Sequence, residues 1–85
     1  MAGLKARVVV TLRNGVLDPQ GKAIEGALAS LGVSGVAGVR QGKVFDIALD
    51  TANVEEAQSL LTEACEKLLA NTVIENYAIE LVSGS

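Results

Sequence analysis

Few side chains in this sequence could make or break a bond. Histidine is absent and the chain has a single cysteine, Cys65. No Ser–His or Cys–His pair can therefore be assembled, and the common transition-metal sites are excluded with them. Cys65 falls beside the apolar stripe of a helical pattern, the setting of a packing thiol. Glu55, Glu56, Glu63 and Glu66 lie on or near the solvated side of the same pattern. With nothing apolar nearby to raise a carboxyl pKa, they read as surface charge and not as an acid–base pair.

The least interchangeable segment is Gly15-Val16-Leu17-Asp18-Pro19-Gln20-Gly21, which combines two glycines, the only proline and a helix start. Backbone amides at a helix N-terminus can cradle phosphate. Here the glycine spacing fits neither the P-loop nor the dinucleotide fingerprint, no Lys-Ser/Thr pair follows, and the Asp18 carboxylate would repel an anion. The residues thus supply no catalytic group and no metal site. They leave the loop as either a docking surface or a tight strand-to-helix connection.

The elements that position this loop follow from periodicity. Leu4, Ala6, Val8, Val10 and Leu12 alternate with Lys5, Arg7, Val9, Thr11 and Arg13, which predicts a half-buried strand. Asp18 suits the N-cap and Pro19 the first position of a helix whose stripe is Ala23, Ile24, Ala27, Leu28 and Leu31, with Gly32 as its stop. Gly21 and Gly26 weaken that helix by up to ~1 kcal/mol each relative to Ala. From Val36 to Asp50 the pattern predicts two strands joined at Gln41-Gly42-Lys43, the second carrying Phe45, Ile47 and Leu49. A second helix is predicted over Asn53–Ala70, opened by the Asn53/Glu56 capping pair, with Val54, Ala57, Leu60, Leu61, Ala64, Leu68 and Leu69 as its buried stripe. Asn71 would end it. Val73, Tyr77, Ile79 and Leu81 share one face of a last strand.

The order strand, helix, strand, strand, helix, strand reads as two βαβ halves in one small α+β domain over residues 1–85. The expected architecture is a four-stranded antiparallel sheet with both helices on one face, the split-βαβ arrangement. Its uncovered face would carry Arg7, Val9 and Thr11, then Val44, Asp46 and Ala48, then Ala78, Glu80 and Val82. That face is either simply solvated or, through Val9, Val44, Ala48 and Ala78, a contact in a homodimer or higher homo-oligomer, for which the strand edges are the other candidate surface. A domain of this size buries only about 60% of its unfolded surface, so association is a common remedy for marginal stability.

Composition narrows the partners. A net charge of −3 and an aromatic content of 2% leave neither a phosphate-tracking surface nor a base-stacking platform, so nucleic acid is excluded. No apolar run approaches the roughly 18 residues of a membrane span, and no signal-peptide core is visible. A lone cysteine fits a reducing compartment, and a cytoplasmic location is expected.

With these residues in view, the chain resembles the PurS family, the small subunits of phosphoribosylformylglycinamidine synthase. The similarity lies in Gly15–Gly21 followed by Ala23-Ile24, in Val39-Arg40-Gln41-Gly42-Lys43, and in Cys65–Tyr77. Thr72 stands where the family usually has proline, and Asn76 where it has an acidic residue. The resemblance implies a non-catalytic subunit acting in the fourth step of purine biosynthesis. It would bridge a glutaminase subunit and a synthetase subunit and assist ammonia transfer between them, with ATP and magnesium belonging to the synthetase and no cofactor to this chain. On that reading Arg13, Val16, Leu17 and Gln20 anchor partners. Gly15, Asp18, Pro19 and Gly21 belong to the same partner-docking loop and shape its turn, Arg40 and Lys43 pair with acidic partner surfaces, and Tyr77 offers an amphipathic ring. A different class also shares the strand–helix–strand order, namely regulatory modules resembling ACT domains, which bind small molecules at a dimer interface.

Overall fold

β-branched residues alternating with polar ones make Lys5–Leu12 the central strand, β1, of a three-stranded sheet. In the computed structural model, which describes residues 3–82, β1 pairs antiparallel with Gly42–Ala48 (β2) on one side and with Glu75–Val82 (β3) on the other. The domain expected over 1–85 thus extends past the described residues at both ends. Register places Val8 between Phe45 and Ile79, Ala6 between Ile47 and Leu81, and Val10 between Lys43 and Tyr77 on the inner face. β2 and β3 run parallel to each other with β1 inserted between them, so β2, the second helix and β3 form a split βαβ unit.

That helix, α2 (Val54–Ala64), starts where the capping signal lies: the Glu56 amide donates to Asn53 Oδ1 at 2.9 Å. The Glu56 carboxylate turns instead to the Thr51 hydroxyl, which accepts in turn from the Asn53 amide at 3.0 Å. Ala57, Leu61, Cys65 and Ala70 close over Ala6, Val8 and Val10, an aliphatic core in which Leu61, Val8 and Val10 are the largest fully buried side chains beside Cys65.

Several expectations need correction. The sheet has three strands and not four among the described residues, because no strand forms across Val36–Arg40. Gly35 sits at φ 91°, outside any extended conformation. Two of the backbone N–H groups that a ladder would use are taken by side chains of the first helix, α1 (Pro19–Ser30), and its N-cap: Val39 donates to Glu25 at 2.8 Å and Gln41 to the capping Asp18 at 2.7 Å. The Gln41-Gly42-Lys43 hairpin is therefore absent, and β2 simply begins at Gly42. The stripe assigned to α1 is not buried by its own chain either. Gly21 is the only buried residue of this helix, while Ile24 is 38% and Leu31 78% exposed.

The end of α2 also departs from the pattern. A π-helical turn, Cys65–Leu69, follows it, closed by the Ala70 N–H donating to the Cys65 carbonyl at 3.1 Å. The extra residue shifts the register, so Leu68 faces solvent rather than the core. Leu60 and Val54 are likewise exposed, and Val73 lies outside β3, in the turn begun by Asn71.

Gly21 and Gly26 separate cleanly. A Cβ on Gly21 would collide with the Val39 carbonyl and crowd Asp18, whereas one on Gly26 meets nothing within 4 Å. Gly21→Ala should destabilise the domain by ~1–3 kcal/mol. Gly26→Ala should stabilise it by about 0.4–1 kcal/mol through the unfolded chain. Urea unfolding of both variants checks the opposite signs.

Candidate functional site

The distinctive loop is built around one carboxylate. Asp18 caps α1, its Oδ1 accepting from the Gly21 amide at 2.8 Å, and its Oδ2 reaches across to accept from the Gln41 amide at 2.7 Å. The residue is 5% exposed. The N–H groups of Gln41 and then Gly21, with Arg40 nearby, hold its pKa below the ordinary carboxylate value against the opposing effect of burial. The anion-repelling group that argued against a phosphate cradle is thus seated in the cradle itself, and the helix-end amide of Gly21 is already occupied.

Arg40 completes the brace from outside. Its guanidinium donates to the carbonyls of Val16 at 3.0 Å, Arg13 at 3.1 Å and Leu12 at 3.4 Å, gathering the turn around Gly15, whose φ of 87° suits glycine. Arg13 in turn donates to the Thr72 carbonyl at 2.7 Å, tying this turn to the approach to β3.

The structure therefore divides the residues singled out by sequence. Asp18, Arg13 and Arg40 are committed to internal bonds. Lys43 lies 3.8 Å from Glu75 across the sheet. The Tyr77 hydroxyl donates to Glu66 at 2.6 Å, a bond to a carboxylate that raises the phenol pKa. What the loop leaves free is Leu17, 70% exposed, with Pro19 and Gln20 exposed beside it and Val16 half-buried. Gly15 is exposed, whereas Gly21 is buried against the returning chain.

The outer sheet face carries the other set. Val9 stands between Val44 and Ala78, and Ala48 lies opposite Lys5. Beside them Arg7 stands between Asp46 and Glu80 and pairs with Asp46 at 2.9 Å.

Two participants escaped the sequence reading, Glu25 and the Gln41 amide. Asp18 and Glu25 are seven residues apart, two helical turns, and so share one face of α1. That spacing was the available signal that one edge of the helix holds a neighbouring backbone. Cys65 is fully buried, and burial raises its thiol pKa, the opposite of what a nucleophile needs. Among the described residues no cluster of three metal-ligating side chains occurs.

Fold and site together define a small split-βαβ domain that presents braced backbone and a few exposed anchors rather than reactive groups. The chain belongs to the PurS family: the family model described as phosphoribosylformylglycinamidine (FGAM) synthase matches residues 5–83. A Synechocystis relative, phosphoribosylformylglycinamidine synthase subunit PurS, is 46% identical over 91% of this chain and 77% of its own. The crystal structure of Bacillus subtilis PurS superposes with a TM-score of 0.85 at 42% identity, covering 94% of this chain and 99% of that one. A chain in the structure of PurLQS from Thermotoga maritima superposes with a TM-score of 0.87 at 33% identity, over 96% of this chain and 100% of that one.

The Asp18 brace has a pH signature. Because the folded state holds this carboxyl below its ordinary value of 3.8, its contribution to stability is complete above that value and is lost as the pH falls through the lower folded pKa. The Gly21 and Gln41 amide resonances in an NMR titration should therefore inflect together below pH 3.8. An inflection at or above that value would remove the brace from the account.

Proposed function

We propose that this chain, as the PurS subunit of phosphoribosylformylglycinamidine synthase, contributes no catalytic group and bridges the glutaminase and synthetase subunits. The observation that carries the reading is the superposition, over that chain's whole length, on a component of the Thermotoga PurLQS structure. ATP and magnesium then belong to the synthetase, and ammonia passes from glutaminase to synthetase while this subunit fixes their separation. The bridging surface we assign is the exposed part of the first loop, Leu17 with Val16, Pro19 and Gln20. Gly15 gives its shape, and Arg13, Asp18, Gly21 and Arg40 act behind it as supports. Lys43 and Tyr77, already engaged with Glu75 and Glu66, form a second, polar contact region.

We further assign a homo-oligomer, in which the outer sheet face of Val9, Val44, Ala48 and Ala78 contributes one contact, and a cytoplasmic location. No helix among the described residues is long and apolar enough to cross a membrane. The ACT-like alternative is not favoured. In this chain the first loop, where such a module would take its ligand, is filled by Asp18 and laced by Arg40.

Reconstitution tests the bridging role. The isolated chain should show no amidotransferase activity, and adding it to the synthetase and glutaminase proteins should restore glutamine-dependent turnover. Leu17→Asp should weaken complex formation by about tenfold or more, as loss of an apolar anchor does, while circular dichroism and the unfolding midpoint stay unchanged. Normal assembly of that variant would return the loop to a purely structural role.

A further inference from the structure

The turn that Arg40 braces contains the only asparagine–glycine pair of the chain, Asn14-Gly15, and the Asn14 side chain has no part in the proposed function. The other asparagines, Asn53, Asn71 and Asn76, precede valine, threonine and tyrosine, whose side chains shield the following backbone nitrogen. Glycine leaves that nitrogen open. Both residues of the pair are exposed, and among the described residues nothing bonds the Gly15 N–H or the Asn14 carboxamide. Such a pair is the ordinary substrate of spontaneous deamidation. The Gly15 nitrogen gives up its proton and attacks Asn14 Cγ. The carboxamide C–N bond breaks, and ammonia leaves with that proton. Water then opens the resulting succinimide at either carbonyl. One opening gives aspartate, and the other gives isoaspartate, in which the backbone runs through the side-chain carbon.

The fold opposes this reaction. The Val16 N–H donates to the Arg13 carbonyl at 3.1 Å, closing a β-turn over Arg13–Val16. Gly15, its third residue, has φ 87°, and no non-glycine residue among those described has positive φ. Asn14 therefore has negative φ, and the turn is type II. In that form the second residue holds ψ at about +120°, which points the Gly15 nitrogen away from the Asn14 side chain. Ring closure needs ψ of about −120°, an angle that β-turns combine only with positive φ at that position, in the II′ form. The turn must open before the ring can form. Arg40 holds it shut, donating to the carbonyls of its first and last residues, Arg13 at 3.1 Å and Val16 at 3.0 Å.

We propose that Asn14 is a latent modification site gated by Arg40, and that its conversion to isoaspartate releases the first loop. The product adds one methylene to the backbone between Arg13 and Val16 and leaves a free carboxylate. A type II turn does not close over the longer path. The new anion also competes with the neighbouring carbonyls for the guanidinium of Arg40, since a charge-assisted bond is the stronger one. Leu17 then loses its fixed base. A loss of docking through Leu17 rests on the bridging role given above; the site, its gate and the release of the turn do not.

Ageing the protein in warm, mildly alkaline buffer tests it. Isoaspartate is measured with an isoaspartyl methyltransferase and placed by tandem mass spectrometry. Position 14 should carry it, and the chain unfolded in urea should convert about tenfold faster than the native chain, whose reaction waits on local opening. Arg40→Ala should raise the native rate about tenfold by the same route, with circular dichroism unchanged. Arg40→Lys keeps the charge without the planar fork, should also raise the rate, and serves where the alanine variant does not fold. Equal native and unfolded rates, or a rate unmoved in a folded Arg40 variant, would overturn the gate. Isoaspartate at another asparagine in preference to position 14 would overturn the site. Hydrogen exchange at the Val16 amide should be about tenfold faster in the modified chain, purified by its added charge, than in the fresh one. Unchanged exchange would overturn the release of the loop. Uptake of fresh protein into the reconstituted complex reads the bridging role separately, and modified protein should enter that complex less well.

Discussion

The Asp18 carboxylate sets the relation between the parts of this fold. One oxygen caps α1, and the other holds the chain just before β2. A buried carboxylate is costly unless its oxygens are satisfied, and here two backbone N–H groups and the nearby Arg40 meet that requirement. Because Gln41 follows Arg40 directly, fixing the Gln41 amide also positions Arg40, whose guanidinium then gathers three carbonyls from the end of β1 and the turn beyond it. Gly21 belongs to the same arrangement, since only a residue without Cβ lets the Val39 carbonyl approach so closely. Helix start, turn and entry to β2 are therefore one cooperative unit, and few of its members can change alone.

This brace explains why the first half of the chain is not a second βαβ unit. Backbone N–H groups bonded to Glu25 and Asp18 are unavailable to a ladder, so the segment before Gly42 follows the helix and not a strand. The result is a sheet with two edge strands and an arm bearing exposed aliphatic residues. A monomer would leave such a surface facing water at a cost of about 25 cal/mol for each Å². A short helix so placed owes its persistence to packing rather than to propensity.

Most of the sheet was legible in the sequence. Alternation in β1 assigned every inner and outer residue of that strand, and the outer face named from the pattern is the one the register produces. Both helix starts were legible for the same reason: Asp18 and Asn53 are local signals, and each cap is made within three residues. The missing strand was not legible, because the bonds that replace it join residues 14 and 23 positions apart. Nor was the π-turn after Ala64, where a single extra residue turns Leu68 outward. At the loop, residue types revealed importance without revealing direction. Asp18, Arg13 and Arg40 were recognised as special, but only their partners show that they face the protein itself.

That division bears on how a subunit without catalytic groups can matter. Binding a partner through a flexible loop loses affinity to the ordering of the loop, whereas a preorganised surface avoids that loss. Here the charged side chains, usually the first suspects for docking, are used to hold backbone in place: Arg13 on Thr72, Arg40 on Val16 and Asp18 on Gln41. Leu17, with no polar group to satisfy, is left standing out from a rigid turn. A projecting aliphatic side chain on a fixed base is suited to a matching pocket, and its position is tied through Arg13 to β3 and through Asp18 to β2. A partner seated there therefore meets the sheet as a whole, and it can be held at a defined distance from whatever engages the same sheet elsewhere.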